Sequence, residues 1–162
     1  MCAQKKLNRR NCIGKVAGSS AAATAFSIVP RSVLGKGHVP PSDRILVANI
    51  GCGTQGMREM PELLQHPHVQ VVALCDVNEY STDYLDWSPK GLLDSLRQTL
   101  GQADWGAFIK GIPGGRAFAQ KFVEDYYTRQ QKTSYNGVRT YEHYRELLEK
   151  ETDIDVVKIM TP

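Results

Sequence analysis

The stretch from Ile45 to Asp76 constrains this chain most. Ile45-Leu-Val-Ala-Asn-Ile50 is a short, largely apolar run that by itself fits a strand or a piece of helix. Gly51-Cys-Gly53-Thr-Gln-Gly56 follows at once, a GxGxxG pattern. A helical stretch comes next, roughly residues 55–65, with Met57, Met60, Leu63 and Leu64 on helical spacing. Pro61 lies inside it, so the helix should kink or begin later. A second apolar run, Val69–Cys75, ends at Asp76, 20 residues after Gly56. Runs apolar on both faces suit parallel strands covered by helices on both sides. Strand, glycine turn, helix, strand and terminal acid together predict an α/β fold with a Rossmann-type, doubly wound parallel sheet.

That order of elements gives each residue a physical task. Gly51 permits the tight turn out of the strand, Gly53 lets backbone approach a pyrophosphate, and Gly56 lets helix pack on sheet. The helix start, with Thr54 and Gln55, offers free N–H groups and the positive end of its dipole to phosphates. Asp76 is placed to accept both hydroxyl hydrogens of an adenosine ribose, with Asn78 just beyond. A carboxylate there repels a 2′-phosphate, so NAD is favoured over NADP. GxGxxG alone is weak evidence; its position between strand and helix, with the acid at this distance, strengthens it. Two alternatives stay open: a glycine turn without a ligand, and an S-adenosylmethionine-dependent methyltransferase-like domain. The third glycine favours the dinucleotide.

The remaining sequence enlarges the second crossover. Residues 89–100 read as an amphipathic helix with Leu92, Leu93, Leu96 and Leu100 on one side, and 111–115 as a loop. Trp87 and Trp105 read as local core rather than a ligand face. Residues 117–130 form the crossover helix, 138–141 a third strand, and 143–149 a helix. Tyr144, Leu147 and Leu148 are spaced to cover the sheet. His143 has no partner at ligand spacing and reads as a surface or capping residue. Residues 155–160 form a fourth strand, which directs Thr161 and Pro162 toward the cofactor. That strand would leave an exposed, aggregation-prone edge.

The start of the chain differs in composition. No acidic residue precedes Asp43, while Lys5, Lys6, Arg9, Arg10 and Lys15 crowd the first residues. Without those five of the 20 basic residues, 15 face 17 acidic ones, a net of −2. Neither that balance nor the overall +3 suggests a nucleic-acid partner. Residues 1–30 read as an export signal of the twin-arginine type: Arg9-Arg10, a mild apolar run, then Ala23-Thr24-Ala25 as a small-x-small cleavage site. Cys12 departs from that pattern, which usually has Phe there. The run is too short and polar for a stable membrane span. A periplasmic or otherwise exported location follows; a basic tail or an uncleaved anchor, with a cytoplasmic location, is the alternative. Residues 31–42 read as a linker, and 43–162 as the dinucleotide-binding domain. The four cysteines, Cys2, Cys12, Cys52 and Cys75, show no CxxC pair and no zinc spacing, so no metal site is expected. Cys52 and Cys75 end neighbouring strands, where a disulfide is a minor alternative to two buried thiols.

Several segments together resemble the Gfo/Idh/MocA oxidoreductase family: Ile45 through Gly56, Cys75-Asp-Val-Asn78, Tyr141-Glu-His-Tyr-Arg-Glu-Leu-Leu148 and Asp155-Val-Val-Lys-Ile-Met-Thr-Pro162. The leader also resembles that of exported members. The resemblance covers nearly the whole chain, residues 79–116 being longer than in the shortest members. It implies an N-terminal Rossmann domain, normally followed by an α/β domain that supplies the substrate pocket and the oligomer interface. It implies hydride transfer between a nicotinamide and a sugar or cyclitol, with Gly51–Gly56 on the pyrophosphate, Asp76 on the ribose, and Thr161 and Pro162 beside the cofactor. The family's catalytic Lys, in a Glu-Lys-Pro-type segment, and its later His or Asp have no counterpart. No catalytic residue is therefore assigned. The chain is expected to be a truncated member; a stand-alone or split-gene nucleotide-binding module without catalysis is the other reading.

Overall fold

The computed structural model describes residues 43–86, 88, 91–130 and 137–161. The leader, the linker, Trp87 and Pro162 lie outside the described residues. Eight elements follow in order: β1 (Ile45–Ile50), α1 (Thr54–Gln65), β2 (Val69–Cys75), α2 (Gly91–Leu100), α3 (Arg116–Arg129), β3 (Arg139–Tyr141), α4 (Tyr144–Lys150) and β4 (Val156–Ile159). The fold is α/β. All four strands are parallel, in the order β3-β2-β1-β4. That is the order of the first half of a doubly wound sheet.

The two faces of the sheet bury separate clusters. Val71 and Leu74 meet α1, α2 and α3 through Met57, Met60, Leu96, Phe118, Phe122 and Tyr127. Ala48, Ala73 and Cys75 meet Leu147 of α4 on the other side. Val71 and Ala73 are two residues apart yet belong to opposite faces. The cause is a bulge: Val47 pairs with Val71, but Ala48 pairs with Ala73, so Val72 is extra. One inserted residue reverses the side-chain alternation beyond it. The N–H of Val71, below the stretch that β3 pairs, donates to the Tyr127 phenol oxygen at 2.7 Å.

Several sequence expectations need correction. α1 does not begin late; it starts at Thr54 and continues through a buried Pro61. In α4 only Leu147 is buried, while Tyr144 and Leu148 are about half exposed. Tyr144 stands in the first turn, above the strand ends, and Leu148 lies four residues on, along the same outward stripe. The segment 111–115 is a loop, as expected, but one pinned at two points. Gly114 bridges to Ser81 and Ile112 to Asp83, tying both ends of the long crossover together. The leucine stripe of α2 is buried, as its spacing predicts. Trp105 is core too: it packs on Phe118 and Phe122, and its indole N–H donates to Asp125 at 2.7 Å. Among the described residues no helix is long and apolar enough to cross a membrane.

Candidate functional site

β2 and β3 are laid out to one side of β1, and β4 to the other. The direction of winding reverses between β1 and β4, and a crevice opens there beyond the strand ends. A cleft of about 700 Å³ lies at this point. Ligand sites typically span roughly 300–1,000 Å³. Gly51, Gly53, Thr54, Gln55, Asp76, Asn78 and Thr161 all line it. Gly56 does not line the cleft but supports it from below.

The glycines are set by close approach. Gly51 has φ +94°, and a Cβ there would lie 2.4 Å from the carbonyl oxygen of Met160, where β4 ends. A Cβ on Gly56 would lie 2.1 Å from the Gly51 oxygen. The first turn of α1 thus sits directly on the loop. Asn49, fully buried in β1, braces the same loop by donating from Nδ2 to the Gly51 oxygen at 2.9 Å. Gly53 occupies the N-cap position of α1, and no acid stands in the helix's first turn. Its free N–H groups and dipole are therefore not neutralised locally.

Gly53 departs from the expected arrangement. The space a Cβ would fill there meets the Tyr84 ring at 2.9 Å, not open cleft. Thr54 is also partly committed, because its hydroxyl donates to the Leu85 oxygen at 2.9 Å. The segment after β2 folds back on the glycine loop and is held by an ion pair between Arg58 and Asp86 at 2.5 Å.

Asp76 joins two loops. Its Oδ2 accepts from the Cys52 N–H at 2.6 Å and its Oδ1 from the Asn78 N–H at 2.8 Å. A carboxylate has about four acceptor positions, so each oxygen keeps one for a ligand. Arg116, at the start of α3, donates to the carbonyl oxygens of Asp76 and Val77 at 3.2 and 3.1 Å. Glu79 and Glu142 balance its charge from 3.8 and 3.9 Å. Among the described residues, the side chains lining the cleft include Asp76 and Glu142 but no Lys or Arg. Charge for a phosphate would come from the α1 N-terminus.

Cys52 and Cys75 are free and buried. Burial, then the charge of Asp76, pushes the Cys52 thiol up to about 12. The same two causes raise Cys75. Neither is a thiolate at neutral pH, so neither suits nucleophilic work. His143 takes the N-cap position of α4, but its side chain is exposed and makes no cap bond. Among the described residues no group of three potential metal ligands converges.

Sequence reasoning missed Tyr84, Glu142, His143 and Tyr144 as cleft residues. The last three follow the end of β3, and the rule that ligands bind beyond strand ends was the available signal. Tyr84 had none, because its position depends on how the long crossover folds. Comparison with protein-family models, curated proteins and solved structures found no match to the chain.

Proposed function

We propose that this chain binds NAD, and that it is the nucleotide-binding half of a Gfo/Idh/MocA-type oxidoreductase acting on a sugar or cyclitol. One observation carries the reading. Gly51, Gly53, the unneutralised start of α1 at Thr54 and Gln55, and the Asp76 carboxylate meet in a single cleft at the reversal point of a parallel sheet. The residues fit the cofactor's parts. The α1 N–H groups suit the diphosphate, and Asp76 keeps an acceptor position on each oxygen for the ribose hydroxyls. Asp76 and the charge-balanced Arg116 disfavour a 2′-phosphate. Gly56 favours this reading over a methyltransferase-like one, since its contact with the Gly51 oxygen builds the tight turn a diphosphate needs.

Hydride chemistry would come from the bound nicotinamide. No side chain in the cleft is assigned as catalyst; in this reading a second domain of the family's type would supply catalysis. Oligomer formation would likewise depend on that domain. Arg9-Arg10 and Ala23-Thr24-Ala25 support export of the folded, cofactor-loaded protein.

Calorimetric titration of the full chain with NAD, NADP and S-adenosylmethionine tests the proposal. Saturable NAD binding, at least tenfold tighter than NADP, is the outcome that Asp76 requires. No heat with millimolar NAD, or preference for S-adenosylmethionine, overturns it.

A further inference from the structure

Tyr84 lies in the crossover segment, outside every motif that suggests a nucleotide site. Its ring is held between two glycines. A Cβ on Gly53 would lie 2.9 Å from its Cε1, and one on Gly114 would lie 2.6 Å from its Cε2. Any side chain at either position would displace the ring. The segment carrying it is anchored on both sides. Ser81 and Gly114 exchange backbone hydrogen bonds at 3.1 and 2.9 Å. Leu85 accepts from Thr54, and the Asp86 carboxylate, with no exposed side-chain surface, pairs with Arg58. The ring is therefore preorganised against the glycine loop rather than lying free on the surface.

The hydroxyl of Tyr84 points the same way. It accepts from Asn78 Nδ2 at 3.0 Å, and the Asn78 N–H in turn donates to Asp76. The phenol oxygen thus stands between the glycine loop and the acid. A phenol has one proton to donate. No group among the described residues accepts it, although Tyr84 lines the cleft. Burial raises the phenol pKa, so the proton is present at neutral pH. Thr54 cannot supply an equivalent donor, since its proton is used on Leu85.

We propose that Tyr84 is a ligand-binding residue of this cleft, donating its hydroxyl proton to the ribose–phosphate stretch of a bound dinucleotide and walling that subsite with its ring. The inference rests on the cleft being a dinucleotide site. It adds a residue from the long crossover to a site otherwise lined from the ends of β1, β2, β3 and β4 and the first turns of α1 and α4. It also gives Gly53 a second reason to be glycine: a side chain there would displace the Tyr84 ring.

The test compares wild type with Tyr84→Phe by calorimetric titration of the full chain with NAD, ADP-ribose and adenine, alongside thermal melts. Phenylalanine keeps the ring between the glycines and removes only the donor. NAD and ADP-ribose should each bind about five- to tenfold more weakly, the effect of one lost hydrogen bond. Adenine binding and the melting temperature should stay unchanged, because the hydroxyl's protein partner is the exposed Asn78 side chain. Equal NAD affinity in the two proteins overturns the role of Tyr84 and leaves the dinucleotide reading intact. An equal loss for adenine also overturns it, by marking a general distortion. Failure of wild type to bind NAD overturns the dinucleotide reading, and this inference with it.

Discussion

Gly56→Ala sets two effects of opposite sign against each other at one atom. Alanine is favoured over glycine inside a helix by about 1 kcal/mol. The new Cβ would lie 2.1 Å from the Gly51 oxygen, whereas ordinary contact begins at 3.4 Å. Helix and loop would have to separate by the difference, about 1.3 Å. The obstacle is backbone, so no side chain can swing aside. Overpacking of this kind costs about 1–3 kcal/mol, occasionally more. The separation also strains the buried Asn49–Gly51 bond, which contributes about 1 kcal/mol. The steric side wins, leaving a net loss of about 2 kcal/mol. For a domain of this size that lowers the melting temperature by roughly 8 °C. NAD affinity should fall more than tenfold, since the first turn of α1 moves with the loop. Thermal melts and NAD titration measure both effects. Gly101→Ala is the control. It has φ +64° but nothing within 4 Å of its Cβ, so it costs about 1 kcal/mol of backbone strain and leaves binding alone. A Gly56→Ala protein that melts at or above wild type would refute the steric argument.

Four other outcomes follow from the same geometry. Asp76→Asn should weaken NAD more than tenfold while narrowing its margin over NADP; an unchanged ratio of the two affinities would remove Asp76 from cofactor selection. Glu151 is buried and accepts from the Tyr141 hydroxyl at 2.5 Å and from Arg139, so Glu151→Ala should cost about 2–3 kcal/mol in denaturant melts; a loss under 0.5 kcal/mol would show that water replaces the carboxylate. The raised Cys52 thiol favours the fold fully below pH 9.0, and that contribution is lost as pH climbs from 9.0 toward about 12, by about 1.4 kcal/mol per unit. Cys52→Ala should therefore flatten the decline in stability between pH 9 and 10, where Cys75 and the tyrosines contribute alike to both proteins, and an identical slope would contradict the burial argument. Ile159 is 64% exposed on the edge strand β4, so Ile159→Lys should reduce aggregation seen by light scattering; a monodisperse wild-type monomer would show that the edge needs no protection.

The sequence by itself determined the strands, the glycine loop and the terminal acid. These are local signals: β1 and β2 end where their apolar runs end, and glycine marks the tight turn. The buried stripe of α2 was also legible, because helical spacing alone selects one face. Tertiary structure decided what lies far apart in sequence and close in space. The extra residue at Val72 sends Val71 and Ala73 to opposite cores, which no alternation pattern reveals because both faces are apolar. α4 buries Leu147 but turns Tyr144 toward the cleft, since a seven-residue helix presents only a narrow face to the sheet. The space over Gly53 belongs to Tyr84, 31 residues away, because the Ser81–Gly114 bridge and the Arg58–Asp86 pair draw the crossover back over the loop. Local pattern places the residues that make turns and strands. Only long-range packing determines which side chains then share the cleft.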